Sequence, residues 1–141
     1  MEFLTDERIA SSSQWLVDAP LSKVYLKNEA DFPWLILVPR QNDLQEIYQL
    51  SEPCQKQLME EIVLFSKLMK DYFKPDKLNV GALGNVVSQL HIHLVGRFKD
   101  DKAWPHGIWQ PNVPGQPYEQ RQLAEHILAL RQCISESGIL R

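Results

Sequence analysis

The chain has 141 residues, 44% of them hydrophobic and 23% charged, which is ordinary globular usage and excludes a disordered or fibrous protein. A net charge of −3 offers no broad cationic field that would release counterions from a nucleic-acid polymer, so no such partner is expected; a single nucleotide needs only a pocket. At this length a single domain over residues 1–141 is expected, with roughly two-thirds of the unfolded chain's surface hidden on folding.

The first residues, Met1-Glu2-Phe3-Leu4-Thr5-Asp6-Glu7-Arg8, are acidic where a secretory signal needs a basic stretch and then an apolar one. Asp6 to Val17 carries Ile9, Trp15 and Leu16 among polar residues and predicts a short amphipathic helix. Ser22 to Lys27 is rich in β-formers. After Asn28-Glu29-Ala30-Asp31, the run Pro33 to Pro39 predicts a second strand joined to the first as an antiparallel hairpin. Its apolar stretch, Trp34 to Val38, is the longest in the chain at five residues, against the roughly twenty of a membrane helix. A soluble, cytoplasmic protein with no membrane partner is therefore expected.

Asp43 to Leu50 predicts a short helix. Ser51-Glu52-Pro53 is a helix start, with a capping hydroxyl, an acid near the positive end of the dipole and a first-turn proline. From there Leu58, Ile62, Phe65, Met69 and Phe73 recur at helical spacing, one stripe of a helix of about six turns that Pro75 ends. Lys77 to Val80 predicts a strand, Gly81 to Asn85 a turn, and Val86 to Phe98 a long strand. Pro105, Gly107, Pro111, Pro114, Gly115 and Pro117 exclude regular structure over Trp104 to Tyr118. Glu119 to Ile134 closes the chain as a helix with Leu123, Ile127, Leu130 and Ile134 on one stripe. The order of elements is that of an α+β fold. Cys54 and Cys133 form no C-x-x-C pair and are expected to be structural.

Chemistry concentrates in Gln89 to Arg97. Aliphatic residues at 90, 92 and 94 alternate with polar ones, the period of a half-buried strand, so Gln89, His91, His93 and Arg97 are expected on one face. The two histidines then lie about 6–7 Å apart. Such a face is either merely solvated or a site. A metal needs third and fourth ligands. His106 alone is within reach by loop, no carboxylate follows at short spacing, and both cysteines fall on predicted helices, so no metal site is expected. Asn79, Gly81, Gly84 and Asn85 precede the strand with amides and permissive glycines, where a turn can present N–H groups to an anion. A neutral imidazole attacks phosphorus without the repulsion an anionic nucleophile meets, which makes His91 or His93 a candidate nucleophile. Arg97 is either a neutraliser of a polyphosphate leaving group or a solvated strand end. His126, at the edge of the last helix's stripe, is expected to be structural.

The segment Gly84-Asn85-Val86-Val87-Ser88-Gln89-Leu90-His91-Ile92-His93-Leu94-Val95 resembles the histidine triad family, whose motif is three histidines alternating with apolar residues after a Gly-Gln pair. Leu26-Lys27-Asn28, Trp34 to Pro39, the long helix and Leu78 to Gly81 follow the family's order, so the resemblance covers roughly residues 20–110 and is strongest to its small bacterial hydrolase branch. It implies a five-stranded antiparallel sheet with helices packed against it, often paired as a homodimer through a continuous sheet. It also implies attack by the middle histidine, here His91, on the α-phosphorus of a nucleotide, giving a nucleotidyl-histidine that water hydrolyses. By the same resemblance His93 binds phosphate and manages the leaving group's proton, Asn28 meets the ribose, and Asn79 and Asn85 lie near the phosphates. Trp104-Pro105-His106-Gly107 is similar to a Trp-Pro segment that borders the site in some members.

Three positions depart from the pattern. Gln89 replaces the first histidine with a group that donates hydrogen bonds but does not titrate. Trp34 stands where an upstream histidine is usual, removing any proton relay through it, and Val86 removes a hydroxyl donor to phosphate. The expected function is a hydrolase or transferase on a nucleoside 5′-phosphoryl bond, in a dinucleoside polyphosphate or a nucleotide conjugate. It requires no cofactor, although Mg2+ can accompany a polyphosphate substrate. The rival from another class is a nucleotide-binding or sensing module with weak or lost catalysis.

Overall fold

The computed structural model describes residues 2–138; Met1 and residues 139–141 of the expected domain span lie outside the described residues. In chain order the elements are α1 (Glu7–Ala10), β1 (Ser13–Asp18), β2 (Ser22–Lys27), β3 (Trp34–Pro39), a single 3-10 turn (Ile47–Gln49), α2 (Glu52–Phe73), β4 (Lys77–Gly81), β5 (Ile92–Arg97) and α3 (Gln120–Ser137). The five strands form one antiparallel sheet in the order β1-β2-β3-β5-β4, with helices packed against it. No helix among the described residues is long and apolar enough to cross a membrane.

Three expected elements change. The helix over Asp6 to Val17 is only α1, because the Ser12 hydroxyl donates to the Arg8 and Ile9 carbonyls and closes it after one turn. Ser13–Asp18 then pairs with β2, from Ser13 opposite Lys27 to Asp18 opposite Lys23, with a register shift between Trp15 and Val17. The short helix over Asp43 to Leu50 is the 3-10 turn alone. The long strand over Val86 to Phe98 is only β5. Its β3 pairing ends at Leu37 opposite Ile92 and its β4 pairing at Gly81 opposite His93, so residues 86–91 have no neighbouring strand on either side.

α2 begins and ends as its sequence dictates. The Ser51 hydroxyl accepts from the Cys54 amide at 3.4 Å, Pro53 sits in the first turn, and Lys74 closes the helix in the left-handed region at φ 57° with its N–H on the Lys70 carbonyl. Leu58, Phe65 and Met69 of its stripe are buried, with Ile62 and Phe73 packed at the margin. They meet Leu26, Leu35, Leu37, Ile92 and Leu94 of the sheet and Ile127, Leu130 and Ile134 of α3 in the main core. Cys54 and Cys133 are half-buried free thiols at its edge. Glu61 of α2 is wholly buried. Its carboxylate accepts from the Leu21 and Ser22 amides at 2.7 and 3.0 Å and from Gln57, tying the helix to the start of β2.

The opposite sheet face carries two smaller clusters. One joins Ile9 to Tyr25, Ile36 and Val38; the other joins Phe32 and Val95 to Ala103 and Ile108. Trp34 packs on both. The second cluster is covered by the irregular segment from Phe98 to Glu119, which is strapped to the β2–β3 connection. Ala30 donates to the Gln116 carbonyl at 2.6 Å, the Gln116 amide donates to Glu29 at 3.0 Å, and Lys102 pairs with Asp31. The Glu29 carboxylate lies so close over Gly115 that a Cβ there would collide with it.

Candidate active site

β5 and the loop before it place the two histidines at the seam between the two clusters, ring centroids 4.7 Å apart and nearly perpendicular. His93 is on the strand, its backbone opposite Ile36; His91 is in the loop, one residue before the strand starts. Both are buried. The four polar residues Gln89, His91, His93 and Arg97 therefore do not share one strand face as the alternation implies: the first two precede β5.

The hydrogen bonds assign the two rings opposite tautomers. His91 Nδ1 lies 2.7 Å from the Gln89 carbonyl oxygen, which can only accept, so Nδ1 carries a proton and in the neutral ring Nε2 holds the lone pair. His93 Nδ1 accepts from the Trp34 indole N–H at 3.0 Å, so its proton is on Nε2. Burial, followed by the neighbouring His91 and Lys27, holds the His93 imidazole down to about 3, and it is neutral at pH 7. Among the described residues neither Nε2 has a hydrogen-bond partner.

A cavity of about 230 Å³ adjoins His91, lined by Gln45 to Tyr48 on one side and by Ala82 to Gly84, Ser88 and Leu90 on the other. Gly84 takes φ 67°, and residues 82–86 are exposed, Val86 to 81%. Asn85, in this loop, is exposed as well. The loop is pinned by the N-terminal segment: the Gln89 carboxamide accepts from the Asp6 amide at 2.7 Å and donates to the Leu4 carbonyl at 2.9 Å, and Arg8 donates to the Val86 carbonyl. Gln89 is thus a clasp in this structure.

The other expected site residues are also engaged. Arg97 is no solvated strand end; it is 1% exposed, paired with both Asp101 oxygens at 2.8 and 3.0 Å, donating to Asn79 Oδ1 at 2.9 Å, and lying against the Phe32 and Trp104 rings. A guanidinium so enclosed holds the turn after β5. Trp104 covers Arg97, and its amide donates to Asp101. Asn28 Oδ1 accepts from the Tyr118 amide at 2.9 Å. With their oxygens occupied, Asn28 and Asn79 each keep an NH2 group as donor. His106 is exposed. His126 packs among Tyr72, Phe73 and Tyr118, with the Tyr72 hydroxyl 2.8 Å from its Nδ1. Among the described residues no group of three or more His, Cys, Asp or Glu side chains is placed to hold a metal ion.

The HIT domain profile matches residues 9–100, more than half of the chain. The chain belongs to the histidine triad family. Members of this family are in general nucleotide-binding hydrolases and transferases. A histidine triad protein from Bradyrhizobium japonicum is 39% identical with a TM-score of 0.89, over 94% of this chain and 98% of that one. One from Marinobacter aquaeolei VT8 is 38% identical with a TM-score of 0.90, over 96% and 98%. A third, from Sinorhizobium meliloti 1021, is 31% identical with a TM-score of 0.88, over 92% and 96%. No curated protein matches the chain.

Against the family motif, this histidine triad protein keeps two histidines, His91 before β5 and His93 on it, and has Gln89 and Trp34 at two other histidine positions. Sequence reading registered Trp34 only as a missing relay and did not single out Lys27 or Trp109. The Lys27 ammonium stands 5.0 Å from the centre of the Trp34 ring, half-buried, where burial pulls its pKa down against the opposing influence of Glu29. The Trp109 ring lies 5.6 Å from His93, and a Cβ on Gly81 would stand 3.4 Å from it. The alternation of β2 and β3 contains the clue to Lys27 and Trp34: each is next to a core-facing leucine, Leu26 or Leu35, and so falls on the opposite face.

Proposed function

We propose that the protein cleaves a nucleoside 5′-phosphoryl bond through a nucleotidyl-His91 intermediate. The observation that carries this reading is the pair of opposite tautomers, a lone pair on His91 Nε2 beside an N–H on His93 Nε2. In the first step the His91 lone pair attacks the α-phosphorus, the bond to the leaving group breaks, and the leaving group departs with its electron pair. The resulting nucleotidyl-imidazolium keeps its Nδ1 proton on the Gln89 carbonyl, a hydrogen bond that strengthens as charge develops. His93 Nε2–H donates to a phosphoryl oxygen. In the second step water attacks the phosphorus, His91 leaves as neutral imidazole, and the proton passes to solvent; an acceptor other than water makes the reaction a transfer.

Asn28, Asn79 and Asn85 are proposed to donate to ribose and phosphate, and the Gly84–Asn85 backbone to the phosphoryl oxygens. Gln89 is proposed to act through its carbonyl, Arg97 and Trp104 by fixing Asn79 and the strap beside the site. The chemistry needs no protein-held cofactor, and Mg2+ enters only with a polyphosphate substrate. Action in the cytoplasm as a homodimer, measurable by analytical ultracentrifugation, completes the proposal. The test is intact-protein mass spectrometry at neutral pH after rapid mixing with diadenosine polyphosphate. An AMP adduct and AMP release in wild type, both absent in a folded His91→Ala variant, are expected. Bound nucleotide with neither adduct nor release supports the second reading, a nucleotide-binding module, which the two non-titrating replacements Gln89 and Trp34 favour.

A further inference from the structure

Resting on that catalytic reading, we propose that Trp34 is a positioning residue whose indole N–H holds His93 in the neutral Nε2–H form and thereby confines the reaction to leaving groups that depart as anions without taking up a proton. The argument begins with donor and acceptor chemistry. An indole N–H donates and never accepts. At 3.0 Å from His93 Nδ1 it requires a lone pair there, and a proton on Nδ1 would set N–H against N–H. Charging the ring would therefore break this contact and strand the indole proton at a half-buried position.

Of the groups facing His93 from the packed elements, the His91 ring and the Lys27 ammonium oppose charging it. The loop before β5 contributes His91, β2 contributes the ammonium of Lys27, β4 contributes Gly81 opposite His93, and the strap contributes the Trp109 ring. No carboxylate is hydrogen-bonded to His93 among the described residues. The one charged side chain in this set, the Lys27 ammonium, opposes an imidazolium.

The chemical consequence concerns the leaving group. With Nδ1 a permanent acceptor, the one proton on His93 is that on Nε2, and surrendering it would leave an imidazolate, out of reach near neutral pH. His93 can hydrogen-bond a departing oxygen but cannot protonate it. A phosphate or nucleoside polyphosphate leaves as an anion carrying the electron pair of the broken P–O bond. An amine leaving from a P–N bond must take up a proton as the bond breaks, and His93 does not supply one. The substrate class is accordingly a phosphoanhydride of a nucleoside 5′-phosphate.

Two measurements on the full-length protein separate this inference from the reading it rests on. Nitrogen-15 NMR of the imidazoles, free of nucleotide between pH 5 and 8, should show His93 with a bare Nδ1 and a protonated Nε2 throughout; a His93 titration midpoint inside that range overturns the proposal. Trp34→Phe keeps a ring and removes the N–H, and should let the Nδ1–H form of His93 appear within that range, whereas an unchanged ring in that variant overturns the role of Trp34. Rates with diadenosine triphosphate and adenosine 5′-phosphoramidate form the second arm. Wild type should favour the anhydride by about 100-fold or more, the range of a missing general acid, and Trp34→His should narrow the ratio at least about tenfold. Equal rates in wild type overturn the leaving-group assignment. Turnover of neither substrate, with the His93 tautomer as stated, fails the catalytic reading and the leaving-group assignment and leaves the positioning by Trp34 standing.

Discussion

Arg97 and Asp101 are joined fork to fork, Nε to Oδ2 at 2.8 Å and Nη2 to Oδ1 at 3.0 Å, with 1% and 4% of their side chains exposed. Burial alone would raise the Asp101 carboxyl, but the Arg97 guanidinium and the amides of Phe98, Ala103 and Trp104 bring it down to about 2. This pair closes the turn that launches the strap toward the site.

Arg97→Ala should therefore act on stability, since it strands a buried carboxylate. A loss of about 3–5 kcal/mol in urea unfolding is expected. A loss below about 1 kcal/mol, the range of a surface pair, would contradict the burial described here.

Acid should weaken the fold in two windows. The His93 pKa in the folded state, about 3, lies below its ordinary 6.5, so the unfolded chain takes the proton first and stability falls as pH drops from about 6.5 toward 3. The contribution approaches about 1.4 kcal/mol per pH unit. Asp101, at about 2 against 3.8, keeps its contribution above pH 3.8 and loses it as pH falls toward 2. Urea melts at pH 7, 6, 5 and 4 should show a His93→Gln variant losing less stability than wild type over that range; parallel curves would mean that His93 is not held neutral.

Glu61→Leu removes the carboxylate that satisfies the Leu21 and Ser22 amides. We expect a loss of about 2 kcal/mol or more, with faster hydrogen exchange at those two amides. Nucleotide binding at near wild-type affinity should persist, because the contact lies on the core face, away from the histidines.

Gly115→Ala drives a methyl group into the Glu29 carboxylate, which is buried and holds the Asp31 and Gln116 amides. The carboxylate must swing off, at a cost of about 1–3 kcal/mol. Exchange protection at Gln116 should drop; protection equal to wild type would show that Glu29 does not secure the strap.

What could be read in the sequence is what neighbours along the chain decide. The α2 cap at Ser51, its stripe from Leu58 to Phe73, the stop at Lys74-Pro75, the β2–β3 hairpin and the irregular Trp104–Tyr118 segment all depend on local periodicity, capping and proline chemistry. The H-x-H spacing and the family resemblance belong there too. Other features depended on what lies across the fold. Ser13–Asp18 is a strand because β2 offers it an edge. Residues 86–91 alternate like a strand yet leave the sheet, because β3 pairing stops at Leu37 and β4 pairing at Gly81. Gln89 and Arg97 stand in the sequence as candidate site residues and Glu61 has no signal there, yet each side chain is bound to partners at least four residues away, Gln89 to a segment more than eighty residues distant. The protonation of His93 was decided in the same way. Trp34 lies 59 positions earlier, and only the antiparallel pairing of β3 with β5 brings its N–H to the ring, a juxtaposition no local pattern encodes.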